Sequence, residues 1–250
     1  MDTLERRWAR LWPHVVQFGP SDEMARPAVL LFHGCGGVRD HLRRYAGVAA
    51  RAGYRAFLID SYGPRGWSNS FASHLVCSGL MLRGHERSGD VLAAAWGVAQ
   101  LPGVDGGQLA LAGWSHGSWA VMDLMTLPLT QAGEAGIANP APGPLDAVRA
   151  AFLAYPYVNL FARSRSAPWL RSPKVFGIVP QRDHLASIRT HMRAYASAVA
   201  GGSEVHIWPV DATHAFDEPG LRVPEHLMRY EPDLSEASLE RFRGFLTETL

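Results

Sequence analysis

Residues 108–127 read QLALAGWSHGSWAVMDLMTL. An apolar run, QLALAG, leads into Gly113-Trp114-Ser115-His116-Gly117, and a helical pattern follows. The pentapeptide matches G-x-S-x-G, a short pattern that gains weight from its setting of strand, tight turn and helix. A serine at the tip of such a turn takes strained backbone angles, and glycines two residues to either side relieve the crowding. The helix that follows aims its N-terminal N–H groups and dipole at the serine, which favours negative charge there. The plain alternative is an N-capping serine in a glycine-rich turn. The rest of the chain decides for a nucleophile.

Outward from this turn, strand and helix patterns alternate. Residues 28–33 (AVLLFH) form a continuous apolar run, as expected of a strand buried on both faces. Residues 40–52 read as a helix stopped by Gly53, and 54–60 (YRAFLID) as the next strand. Residues 86–101 carry Leu92, Ala95, Trp96, Ala99 and Leu101 on one helical side. Downstream, 148–155, 174–179 and 204–210 are strands, and helices are expected over 184–200 and 235–250. Residues 14–18 suit an edge strand. The Gly-, Ala- and Pro-rich stretch 131–144 reads as a surface insertion, either a lid or a connector. The alternation predicts an α/β fold, a doubly wound and mostly parallel sheet of about seven strands, in one domain over residues 1–250.

A serine hydroxyl attacks well only when a base removes its proton and a carboxylate orients that base. On a parallel sheet these groups belong past the carboxyl ends of strands. His214 stands just beyond 204–210, in Thr213-His214-Ala215-Phe216-Asp217, and is the candidate base. His191 falls inside a helix with a solvent-facing reading, His206 in a strand, His184 at a helix start and His226 in a loop. Asp183 follows strand 174–179 and is the candidate orienting carboxylate; Asp211 and Asp217 are reserves, and Asp146 precedes its strand, at the wrong edge.

The turn His33-Gly34-Cys35-Gly36-Gly37 after the first strong strand lets backbone approach a substrate carbonyl. The N–H groups of Cys35 and His116 are the candidate oxyanion donors. A dinucleotide fingerprint is the rival reading, but its third glycine position holds Arg39. His33 reads as a hydrogen-bonded structural residue, and the Cys35 thiol as pocket lining. The long connection 61–79 carries Tyr62, Trp67 and Phe71, so Trp67, Trp114 and Arg65 are the candidate pocket residues. For Arg65 a turn-stabilising role competes with binding a substrate carboxylate, and Trp119 reads as core.

Taken together, LLFHGCGG, DSYGPRG at 60–66, GWSHGS, the segment ending in Asp183 and THAFD resemble the α/β-hydrolase superfamily, and within it the dienelactone hydrolase family. The resemblance implies a doubly wound sheet and hydrolysis through Ser115, Asp183 and His214, with no metal or organic cofactor. It departs from dienelactone hydrolases themselves in having serine where their nucleophile is cysteine. The first-strand loop also lacks the glutamate that regulates that cysteine. An ester, lactone or thioester is therefore the expected substrate. A prolyl-oligopeptidase-like peptidase and a non-catalytic binding protein are the alternatives. Amide turnover without ester turnover would favour the first, and a Ser115 inert to a fluorophosphonate the second.

Bulk composition narrows the partners. Over 250 residues, 24 Lys and Arg balance 23 Asp and Glu, for a formal net charge of +1. That excludes polyanion binding as a dominant role, so neither nucleic acid nor membrane is expected as a partner. The N-terminus reads MDTLERRWARLWPHVV, too charged for a secretory signal, and no window suits a membrane helix; a cytoplasmic location is expected. Two cysteines, Cys35 and Cys77, are too few for a disulfide scaffold. A single bridge between them is possible, because both lie in loops near the candidate site, while a reducing cytoplasm favours two free thiols.

Overall fold

Alternating side chains of the aliphatic runs go to opposite faces of one sheet, and both faces are covered. The computed structural model describes residues 1–77, 81–158 and 160–250. Its strands are β1 (Val15–Phe18), β2 (Arg26–Phe32), β3 (Arg55–Ile59), β4 (Val104–Trp114), β5 (Val148–Ala154), β6 (Lys174–Pro180) and β7 (Val205–Val210). They lie in the order β1-β3-β2-β4-β5-β6-β7. Only β1 is antiparallel, pairing with β3; every other neighbour is parallel.

The helices are α1 (Leu4–Leu11), α2 (Asp40–Arg51), α3 (Asn69–Cys77), α4 (Gly84–Val98), α5 (His116–Met125), α6 (Ile188–Ala200) and α7 (Pro232–Thr249). Leu30, Phe32, Leu109, Leu111 and Leu153 face one buried cluster with residues of α1, α4, α5 and α6. Val29, Leu31, Ala110, Ala112 and Phe152 face the other, with residues of α2 and α7. This two-sided burial is why the strands read as unbroken apolar runs rather than alternating ones.

Three local expectations need correction. The helix predicted from residue 184 begins at Ile188. Asp183 Oδ1 first takes the N–H groups of Leu185 and Ala186, a side-chain turn that competes with helix, and Ser187 then caps the true start. The insertion 131–144 is packed rather than lid-like. Its Ala135 and Ile137 are buried in the α4 cluster, Asp2 bridges to Ile137, and Asn139 Oδ1 accepts the Leu4 N–H. Helices α1 and α3 were not expected at all. The first is held by a Thr3 cap and buries Leu4 and Leu11. The second lies in the 61–79 connection, whose last two residues fall outside the described ones.

Candidate active site

A parallel sheet puts all its carboxyl ends at one edge, and the sequence places its chemistry there. The chain winds toward β3 after β2 and toward β5 after β4, so the crevice opens between β2 and β4. Phe32 pairs with Gly113 in register, which sets the His33–Gly37 turn beside the end of β4. A Cβ added at Gly34 would stand 3.4 Å from Ser115 Cβ. On the other side, Pro180 pairs with Val210, and Arg182 N–H donates to the Ala212 carbonyl at 3.0 Å. This brings the loops after β6 and β7 together.

Ser115 has φ +50° and ψ −110°, a conformation that costs a non-glycine residue about 1–3 kcal/mol. The surrounding structure holds it. Its N–H donates to the Ala154 carbonyl at 3.0 Å, and its carbonyl accepts from Trp119 and Tyr157 N–H, each at 3.1 Å. The flanking glycines are needed for close approach: a Cβ at Gly117 would overlap the Phe32 carbonyl oxygen, and one at Gly113 the Ser118 backbone.

Ser115 Oγ lies 2.8 Å from His214 Nε2, and His214 Nδ1 lies 2.8 Å from Asp183 Oδ2. The carboxylate fixes the tautomer: Nδ1–H donates to Asp183, leaving Nε2 to accept the serine proton. Burial pushes the Asp183 pKa up, but the charge and hydrogen bond of His214, with help from His191 and the Leu185 N–H, outweigh it. The carboxyl is held below its usual range. Tyr155 packs edge-on against the His214 ring with centroids 4.8 Å apart. Its hydroxyl donates to the buried Asp217, which also accepts from Tyr45 at 2.8 Å and Trp114 Nε1 at 3.2 Å. Asp217, a reserve candidate, is thus tied into the core behind the histidine.

Of the two candidate donor residues, His116 follows Ser115 directly and Cys35 follows Gly34, the glycine that borders Ser115. His33 is hydrogen-bonded as expected: Ser61 N–H donates to Nε2 at 3.1 Å, and Nδ1 donates to the Gly34 carbonyl at 2.6 Å. Cys35 differs from expectation, being joined to Cys77 at the end of α3 by a disulfide with a Cα separation of 5.4 Å.

The pocket candidates divide. Trp67 is half-buried beside Cys35 and Tyr62. Trp114 does not line a pocket; it is fully buried among Tyr45, Phe152 and Phe242, because side chains at the end of β4 alternate and its turn faces α2. Arg65 does not await a substrate carboxylate either. It pairs with the buried Asp90 at 2.8 Å and bonds the Ser61 carbonyl, as a turn-stabilising residue does. His191 is buried rather than solvent-facing, bonded to the Pro156 carbonyl at 3.0 Å and standing 3.8 Å from Asp183. Trp119 is core, as expected.

Two neighbours of the site escaped sequence reasoning. Glu218 is nearly buried, and its Oε1 would lie 3.9 Å from a Cβ at Gly34; Arg39 and His41 approach it at 3.6 and 3.7 Å. The second is Arg87, fully buried on α4. Nothing in the sequence singled out either residue.

Among the described residues, no helix is long and apolar enough to cross a membrane. No curated protein matches the sequence. Many solved structures share its fold. A dienelactone hydrolase-like promiscuous phosphotriesterase from metagenomic libraries superposes with a TM-score of 0.68 at 15% identity, covering 94% of this chain and 92% of its own. A thermophilic esterase of Thermogutta terrifontis, solved with propionate bound, gives 0.63 at 15% identity over 94% and 88% of the two chains. The same esterase phosphonylated by sarin gives 0.65 at 15% identity over 94% and 89% of the two chains. The family model of the dienelactone hydrolase family matches residues 14–250, nearly the whole length, and the chain belongs to that family.

Proposed function

We propose that this protein is a serine hydrolase that cleaves small carboxylic esters, lactones or thioesters through an acyl-enzyme. The observation that carries the reading is the continuous hydrogen-bonded chain from Asp183 through His214 to Ser115 Oγ, at the tip of a strained turn. Ser115 Oγ attacks the carbonyl carbon as its proton passes to His214 Nε2. The carbonyl π electrons move to oxygen, and the oxyanion is met by the N–H groups of Cys35 and His116. Collapse of the tetrahedral intermediate expels the alkoxide or thiolate, which takes the proton from His214. Water, deprotonated by the same imidazole, then attacks the acyl-serine and releases the acid. Asp183 stabilises the imidazolium that forms twice in the cycle.

Trp67, with Tyr62 and the exposed Phe71, supplies an apolar wall on the Cys35 side for the acyl or alcohol group. Such a site needs no net molecular charge, because oriented N–H groups provide its field. The neighbouring Thermogutta terrifontis esterase is phosphonylated by sarin, an agent that transfers phosphorus to activated nucleophiles, which fits this reading. The Cys35–Cys77 bridge weighs against the cytoplasmic location expected from the N-terminus, since such bonds persist in oxidising compartments.

The test is turnover of p-nitrophenyl butyrate and labelling by a fluorophosphonate. Ser115→Ala should lower kcat by about 10⁵-fold and abolish labelling. Activity that survives the substitution removes Ser115 from the mechanism.

A further inference from the structure

Behind the proposed oxyanion site lies a charge that this hydrolytic scheme leaves unused. The Arg87 guanidinium is completely buried. Its Nε donates to Ser61 Oγ at 3.0 Å. Its Nη1 donates to the His33 carbonyl at 2.8 Å and lies 3.2 Å from His116 Nδ1. Among the described residues Nη2 has no hydrogen-bond partner, and no carboxylate pairs with the group. The nearby Asp90 is already held by Arg7 and Arg65, each at 2.8 Å. Burial lowers the Arg87 pKa, yet a guanidinium stays protonated at neutral pH. Asp90 and Asp60 attract it from a distance, but neither forms an ion pair with it, so part of its desolvation cost stays uncompensated. A fixed cation in such a place stabilises negative charge that develops nearby.

The contacts of Arg87 reach both sides of the oxyanion site. On one side is the His33 carbonyl, which leads into Gly34 and Cys35. On the other is the imidazole of His116, whose backbone N–H is the second donor. His33 completes the linkage. Its Nδ1–H holds the Gly34 carbonyl at 2.6 Å, and the Gly37 N–H holds the same oxygen at 3.2 Å. The peptide between Gly34 and Cys35 is trans, as are all the others described. In a trans peptide the C=O and N–H point in opposite directions. Pinning the Gly34 oxygen toward His33 therefore turns the Cys35 N–H the other way, and Gly34 itself borders Ser115.

We propose that Arg87 and His33 are positioning residues for the oxyanion: His33 aims the Cys35 N–H, and Arg87 locks both donor segments while supplying a fixed positive charge behind them. The inference rests on the serine-hydrolase reading. Neither residue touches substrate; both act through the backbone donors and the local field. Their contribution appears when the carbonyl oxygen becomes negative, so it belongs to the transition state and not to substrate binding.

The experiment uses the full chain and p-nitrophenyl butyrate, with kcat expressed per site labelled by a fluorophosphonate at completion, so that unfolded protein does not count. A trifluoromethyl ketone, which forms a tetrahedral oxyanion with an activated serine, gives an independent Ki. Arg87→Met should lower kcat about 100-fold and weaken the ketone by a similar factor, with KM within about threefold of wild type. Arg87→Lys keeps the charge and loses the fork, and should recover about tenfold of that loss. His33→Asn, which retains a donor near the Nδ1 position, should stay more active than His33→Leu. A purely structural role predicts fewer labelled sites but unchanged kcat per site. Wild-type kcat in Arg87→Met, or a loss confined to KM, overturns the proposal. If Arg87→Met does not fold, Arg87→Lys decides: kcat and ketone Ki both within threefold of wild type overturn it. Wild-type protein that neither labels nor turns over ester overturns the hydrolase reading, and the inference falls with it.

Discussion

At the scale of single residues, the groups that were legible in the sequence are those with a local signature. Ser115 sits between glycines that only close backbone packing demands, and Asp183 and His214 each follow a strand. Arg87, Glu218 and His191 carry no such mark, because their burial arises from packing between elements distant in the chain. Trp114 was misplaced for the same reason: proximity to the nucleophile in sequence says nothing about which face of β4 its side chain takes. Asp183 offers a test at this scale. Its Oδ1 accepts two backbone N–H groups while Oδ2 faces His214. Asp183→Asn preserves the Oδ1 bonds but turns an NH₂ toward Nδ1, favouring the tautomer that leaves Nε2 protonated and unable to accept the serine proton. With turnover at Ser115, kcat should fall by about 10⁴-fold with little change in KM or Tm. Ester kinetics and a thermal melt check this; a loss smaller than tenfold would show that the carboxylate does not set the tautomer.

At the scale of elements, every strand was legible and helix α3 was not. Strands buried on both faces announce themselves as apolar runs, whereas Asn69–Cys77 (NSFASHLVC) mixes polar and apolar residues without a strong stripe. Its place is fixed instead by the Cys35–Cys77 bridge and a small cluster of Tyr62, Ala72, Val76 and Leu82. The expectation of free thiols rested on the presumed compartment, an argument about surroundings that carried no information on distance. The bridge joins residues 42 apart, which removes unfolded-state entropy worth about 4 kcal/mol. Cys77→Ser should therefore lower Tm by about 10 °C, and a reductant should do the same to wild type. Amide exchange should rise in α3 and the 33–37 turn while β4 and β5 remain protected. An unchanged Tm in both cases would mean that the cluster, and not the bridge, holds α3.

At the scale of the molecule, the α/β architecture followed from alternation of strand and helix patterns, and the strand order places the site at the reversal between β2 and β4. Global stability is less legible, because it depends on how deeply each charge is buried. One buried carboxylate shows how. Asp123, on α5 behind the nucleophile, is raised from 3.8 to about 6 by burial, despite hydrogen bonds from the Ser164 N–H and Trp119 Nε1. The folded chain thus holds the Asp123 proton after the unfolded chain has released it. Between pH 4 and 6 the native state binds more protons, so stability falls as the pH rises, by about 3 kcal/mol in all. Asp123→Asn removes this titration. The substitution also disturbs the Trp119 bond, a cost that does not vary with pH. The informative quantity is accordingly the difference between variant and wild type, measured by urea unfolding at pH 4, 5, 6 and 7. It should move in the variant's favour by about 3 kcal/mol across that window and level off above pH 7. A difference that stays flat from pH 4 to 7 would show that Asp123 is ionised in the folded protein throughout, with its two donors compensating fully for its burial.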